Sequence, residues 1–289
     1  MLVTLRDVLP HARQHHYAIP AFDVIGDVMV RTILDTAEAE GSPVILMCLE
    51  HNLREPNGYV HLAHYIREAA KSYSIPVVLH LDHALDVTLV EEALAHGFTS
   101  VMIDGSQLSL PENIALTSEA VKLAAAYGAS VEAELGHVGG HELGGHYGSH
   151  SQLTDARSVQ TFIEATACDA LAVSIGTAHG VYHSEPSLHI ERLQEINAVS
   201  SVPLVLHGGS GTPDDQLQRA IQHGISKVNI YADCRIAMAE GLKKAAATLT
   251  RQDPLPEQLL LPIREALQAV VTSKIYQLHA QHRYKETSQ

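Results

Sequence analysis

The chain has 289 residues, 46% of them hydrophobic, with 19 Lys and Arg against 33 Asp and Glu, a formal net charge of −14. That balance argues against nucleic acid and anionic membrane surfaces as partners, and no apolar stretch reaches the length of a bilayer span. The N-terminus has no charged-then-apolar leader pattern, and three scattered cysteines, Cys48, Cys168 and Cys234, lack CxxC spacing, so the expected setting is reducing and cytoplasmic.

Short apolar runs alternate with longer amphipathic ones. Strands are expected at 18–24, 44–49, 77–81, 100–103, 130–135, 170–175, 204–206 and 227–230, each a buried run flanked by turn residues. Helices are expected between them near 27–40, 58–72, 86–96, 111–127, 155–166, 188–199 and 214–223. Asp86 and Asp155 suit N-caps, Pro213 marks a helix start, and Gly41, Gly97, Gly128 and Gly224 fall where left-handed C-caps belong. After Asp233 the pattern is helical, broken at Asp253-Pro-Leu-Pro256, and helical again to about His279. Eight strand–helix repeats favour parallel βαβ units closed into a (β/α)8 TIM barrel with extra C-terminal helices. At about 250 residues such a barrel accounts for one domain spanning 1–289.

Barrels of this type gather their chemistry at the C-terminal ends of the strands. Three of those ends carry histidines: His83 in Val77-Val-Leu-His-Leu-Asp-His83, His179 in Ala170-Leu-Ala-Val-Ser-Ile-Gly-Thr-Ala-His179 and His207 in Val202-Pro-Leu-Val-Leu-His207. Any one of the 20 histidines is better read as a hydrogen-bonded side chain. Three at one barrel end form the usual donor set of a catalytic zinc site with an open fourth position. Asp82 either orients His83 or transfers protons beside the metal, and the second reading is favoured. It adjoins His83 in an extended strand, so a bulge or strand end must re-aim one of the two. Glu134 and Asp104, at the ends of the fifth and fourth strands, are further candidates to ligate the metal or to hold a ligand in place, and Asp104 could instead cap the next helix. Gly208, Gly209 and Ser210 form a Gly-rich turn suited to an anion, and Asn229 follows on the eighth strand. The loop 136–152 is rich in Gly and His. On it Glu142 follows Gly139-Gly140, a candidate hinge able to swing a carboxylate over the site.

With these residues in place, the chain resembles the class II, metal-dependent ketose-bisphosphate aldolases from Val3 to about Leu278. The likeness is carried by Leu79-His-Leu-Asp-His83, Gly97-Phe-Thr-Ser-Val-Met-Ile-Asp-Gly-Ser106, Val131-Glu-Ala-Glu-Leu-Gly136, Ile175-Gly-Thr-Ala-His-Gly180, Leu206-His-Gly-Gly-Ser-Gly211 and Ser226-Lys-Val-Asn-Ile230. The resemblance implies Zn2+ on His83, His179 and His207, with Glu134 at an alternative metal position. It also implies Asp82 as proton donor to the aldehyde carbonyl and Glu142 as a mobile-loop acid. Phosphate contacts would come from Gly180, Gly208 to Ser210 and Asn229, Ile230, Tyr231 and Ala232, with a monovalent cation (Na+ or K+) near His179 and Gly208. A ketose phosphate substrate and a homo-oligomer, dimer or tetramer, are implied too.

Departures from the family pattern bear on the substrate. Asp23 stands for the usual Asn, Met47 and Leu49 for Gln and Ser, Leu255 for a phosphate-holding Arg, Ala232 for Thr, and His183 for a basic residue. Losing the arginine removes a bidentate phosphate clamp. The expectation is a zinc aldolase releasing glycerone phosphate, with an aldehyde half that need not be phosphorylated. The alternatives are an ordinary fructose- or tagatose-1,6-bisphosphate aldolase and a metal-binding, non-catalytic partner subunit. A zinc hydrolase is disfavoured, because the HxH ligand pair usual there is absent.

Overall fold

In the computed structural model the described residues are 1–54, 56–140, 150–182 and 184–284. The helices are α1 (Leu5–Gln14), α2 (Asp27–Glu40), α3 (Glu50–Arg54), α4 (His64–Ala70), α5 (Val87–Ala95), α6 (Leu110–Ala125), α7 (Ala156–Thr166), α8 (Ile190–Val199), α9 (Asp214–Gln222), α10 (Ala232–Thr248) and α11 (Pro256–Gln277). The strands are β1 (Ile19–Asp23), β2 (Val44–Leu49), β3 (Val77–Ala84), β4 (Ser100–Ile103), β5 (Ser130–Leu135), β6 (Ala170–Val173), β7 (Leu204–Leu206) and β8 (Ile225–Ile230). All neighbours pair in parallel, and β1 closes on β8 to complete an eight-stranded TIM barrel. Every strand residue is buried, since helices cover the outer face while side chains fill the inside. None of the described helices is long and apolar enough to cross a membrane.

Local signals explain most boundaries. Asp86 accepts from Leu89 N at the start of α5, and Asp155 from Arg157 N at the start of α7. Gly41 ends α2 in the left-handed region at φ 60°. The single helix expected at 58–72 is instead a π-helical turn, Tyr59–Ala63, running into α4, with α3 before it. α1 lies outside the expected elements. Its buried Leu5, Val8, Leu9 and Ala12 follow helical spacing, but Pro10 and a run of basic residues obscure the pattern. It closes the N-terminal end of the barrel, where Leu5 N donates to Ser130 Oγ (2.9 Å). The C-terminal pair packs outside the barrel: α11 lies on α10, α2 and α9, and Lys274 reaches Asp233 at the start of α10 (2.8 Å).

Candidate metal centre

On β3, parallel pairing sets His80 beside Met47 and Asp82 beside Leu49. Strict alternation would send His83 the other way. Two things re-aim it: the β3–β4 register shifts between Leu81 and Ala84, and His83 has φ 48°. A left-handed residue other than glycine costs about 1–2 kcal/mol, and here it turns the imidazole into the barrel mouth beside Asp82. His207 stands immediately after β7. His179 sits on the turn after β6, where its N–H donates to Gly139 O (2.9 Å). That approach requires glycine, because a Cβ on Gly140 would lie 2.3 Å from His179 O. Gly139 and Gly140 therefore dock against the His179 turn.

The three rings converge. His207 Nδ1 is 2.8 Å from His83 Nε2 and 3.4 Å from His179 Nε2. One nitrogen of each lies within 4.8 Å of the others. The opposite nitrogens are all engaged outward: His83 Nδ1 with Asp104 Oδ2 (2.9 Å), His179 Nδ1 with Val138 O (3.0 Å) and His207 Nε2 with Glu132 Oε1 (2.9 Å). In neutral rings whose N–H groups serve those acceptors, three lone pairs face one point, an arrangement that calls for a cation. The donor set therefore fits a divalent metal. Burial, reinforced by His83, holds His179 and His207 well below the ordinary histidine range, in the neutral form that ligates. Burial also works against a charged His83, but Asp82 and Asp104 outweigh it and push that ring up to about 10 in the metal-free protein.

Of the two readings of Asp82, the geometry separates orientation from proton transfer. Asp104, not Asp82, holds His83 Nδ1, while Asp82 Oδ2 is 3.9 Å from His83 Nε2. Asp82 Oδ1 accepts from Asn229 Nδ2 (3.3 Å), and burial raises its pKa against the pull of His83 and Lys227. Asp104 Oδ1 accepts from Ser106 N (3.0 Å). Burial opposes charge on Asp104, yet the bond from His83 keeps its carboxyl well below the usual range. It is not a helix cap, since α6 begins on Ser109. Glu134 groups with His83 and Asp104 as a second possible ligand set. Its Oε1 accepts from Val138 N (2.9 Å), and its buried Oε2 has no hydrogen-bond partner among the described residues.

A small pocket beside the histidines is lined by Asp23, Asp82, His179, Gly180, Gly208, Ser210, Asn229, Ile230 and Tyr231. It shares His179 and Gly180 with a wider cleft of ≈ 700 Å³ that also touches Ala232 and Arg235. Ser210 Oγ accepts from Tyr231 N (3.1 Å) and Asp233 N (3.3 Å), tying the turn after β7 to the first turn of α10. Gly209 departs from expectation: its N–H is spent on Asn229 O (2.9 Å), and a Cβ there would strike Val228. It packs closely against β8. The monovalent-cation expectation gains no support at Gly208, whose carbonyl accepts from Tyr182 Oη (2.8 Å) and Thr212 Oγ1 (3.2 Å). Glu142 and His183 lie outside the described residues. The stem of the Glu142 loop is fixed by reciprocal bonds between His137 and Gln152, both 2.8 Å.

Sequence reasoning assigned no role to three fully buried side chains beneath the histidines: His80, Glu132 and Lys227. Their signal is parity. His80 with Asp82, Glu132 with Glu134, and Lys227 with Asn229 are each two apart on one strand, so they share the barrel's inner face.

The family model described as fructose-bisphosphate aldolase class-II matches residues 3–283. The chain belongs to the class II fructose-bisphosphate aldolase family. Among similar proteins, a 6-phospho-5-dehydro-2-deoxy-D-gluconate aldolase of Bacillus licheniformis is 40% identical over 243 residues, covering 82% of each chain. A fructose-bisphosphate aldolase of Geobacillus stearothermophilus is 37% identical over 279 residues, covering 95% of this chain and 96% of its own. The crystal structure of the YdjI aldolase from Escherichia coli K12 superposes with a TM-score of 0.86 at 34% identity, over 98% of this chain and all of the other. The chain is thus a class II aldolase, a metal-dependent carbon–carbon lyase acting on a ketose phosphate or bisphosphate. The buried histidine cluster is able to coordinate a divalent metal, in keeping with that family.

Proposed function

We propose that the enzyme reversibly cleaves a ketose phosphate to glycerone phosphate and an aldehyde, using zinc on His83, His179 and His207. The supporting observation is the convergence of three inward-facing ring nitrogens with the Asp82 carboxyl 3.9 Å from one of them. When bound, the metal supplies Lewis acidity to the oxygens of the three-carbon half. Asp82 takes the proton of the C4 hydroxyl as the C3–C4 bond breaks, and the bonding pair stays with the three-carbon half. Glu142 then delivers a proton to the carbon that carried the bond, giving glycerone phosphate; the two acids exchange protons with solvent to reset. Asn229 steadies Asp82, while Gly180, Gly208, Ser210 and the start of α10, with Ile230, Tyr231 and Ala232, hold the phosphate. Asp23 lines the same pocket and contacts the sugar chain.

The aldehyde half would meet the inner face of β2 and β3. Met47 and Leu49 share the inner face with His80 and Asp82, and Leu255, where the family places a phosphate-binding arginine, is 65% exposed. The inner face at Met47 and Leu49 is apolar, and position 255 supplies no arginine. That face suits an aldehyde without a phosphate, in keeping with the Bacillus licheniformis relative, whose name puts one phosphate beside the ketone and an acid at the far end. Steady-state cleavage of ketose 1-phosphates, sugar-acid phosphates and both hexulose bisphosphates, with a coupled readout of glycerone phosphate, tests this. Efficient turnover of a bisphosphate with poor turnover of monophosphates rejects the altered pocket and restores the ordinary aldolase reading. Failure of the zinc-loaded chain on every ketose phosphate points to a partner subunit.

A further inference from the structure

Beneath the histidines lies an ionic chain that the proposed reaction does not use. Lys227 Nζ is 2.8 Å from Glu132 Oε2, and Glu132 Oε1 is 2.9 Å from His207 Nε2. All three side chains are fully buried. Glu132 is on β5 and Lys227 on β8, strands that are not neighbours in the barrel, so the pair crosses its interior. His80 closes the other flank, with Nδ1 on Ser100 Oγ (2.8 Å) and Nε2 3.7 Å from Glu132 Oε2. The Glu132 carboxylate is thus held on one side by an ammonium and on the other by a ring. Its remaining oxygen is aimed at the outward nitrogen of a metal ligand.

Stability alone does not explain such a pair. Taking both charges out of water offsets most of their attraction, and apolar side chains of similar volume hold a core as well. What the pair adds is direction. A carboxylate on the second nitrogen of a ligating histidine fixes which nitrogen faces the metal and the angle of the ring. His207 Nδ1 is the nitrogen that lies nearest both other ligand atoms.

We propose that Lys227 is a positioning residue of the metal centre, acting through Glu132 to hold His207 Nδ1 toward the ion. The inference rests on the reading that the three histidines bind a metal. Parallel residues on β8 then divide the work: Lys227 supports the ligand set through Glu132, and Asn229, two residues on, supports Asp82 directly.

The test compares Lys227→Met, Glu132→Gln and their double variant with the unmodified enzyme. Zinc affinity is read by chelator competition and ligand geometry by the visible spectrum of the cobalt(II) form. Each single variant is expected to weaken metal binding about 10- to 100-fold and alter the cobalt spectrum. The double variant is expected to lose no more than the worse single, because both changes cut one chain. Unaltered affinity and spectrum in Lys227→Met, or losses that add in the double variant, overturn the proposal. Should either single variant fail to fold, Lys227→Met with Glu132→Leu removes both charges and leaves an apolar core. That variant is expected to fold and bind zinc weakly, and zinc binding equal to the unmodified enzyme overturns the proposal. An unmodified enzyme that binds no metal refutes the underlying site instead, a result distinct from both.

Discussion

The two ends of the barrel share the same eight strands and are built on opposite terms. At the N-terminal end, α1 lays Leu5, Val8, Leu9 and Ala12 against the barrel, and Arg6 and Arg13 satisfy backbone carbonyls of the neighbouring loops. At the C-terminal end, a residue is held left-handed, carboxyls are buried close together, and polar atoms such as Glu134 Oε2 lack hydrogen-bond partners among the described residues. The first end lowers the energy of the fold. The second spends some of it on groups that become satisfied only when something binds. Function sits where local rules are broken, with stability secured elsewhere.

The contrast breaks most completely if a ligand is removed. His207→Ala, or chelation of the unmodified enzyme, is expected to abolish cleavage, with added zinc restoring the chelated enzyme but not the variant; a coupled assay reads both. Next, Asp82→Asn is expected to lower kcat by about 10²- to 10⁴-fold while zinc affinity holds, because Asp104 and not Asp82 engages His83. Equal losses of affinity in Asp82→Asn and Asp104→Asn would contradict that division. At the other end, Leu9→Ala is expected to cost about 2–5 kcal/mol of stability, read by denaturant unfolding, with kcat per folded molecule unchanged.

The smallest expected effect is a pH trend in the metal-free protein. His83 is raised to about 10 there, above its unfolded value of about 6.5. Its contribution to stability is full below about 6.5, declines as pH rises and is gone above about 10. His83→Gln removes the trend. Zinc removes it too, because the ring ligates only when neutral. A stability profile from pH 6 to 10, with and without metal, checks both statements.

The barrel was legible in the sequence because strands buried on both faces give uninterrupted apolar runs and the helices between them carry caps such as Asp86 and Asp155. The histidines were legible because each ends such a run. Other features were hidden for physical reasons. The bulge at His83 is a backbone conformation with no side-chain signature of its own, although the neighbouring Asp82 and His83 demanded one. Val138 supports His179 through its carbonyl oxygen, which no residue type announces. Gly208-Gly-Ser looked like a uniform anion cradle, but tertiary contact commits Gly209 to β8. Helix α1 was masked by Pro10, an interior proline of a kind that usually breaks a helix.

The backbone reversal at His83 has a consequence for anyone who would move this chemistry. Grafting the side chains of Asp82 and His83 onto a regular strand would send the imidazole outward into the helical layer, since neighbours on an ideal strand diverge. A transplant must carry the irregular stretch from Leu81 to Ala84 along with its residues. Substituting a β-branched amino acid at 83, which resists that conformation, would straighten the segment as well as delete a donor.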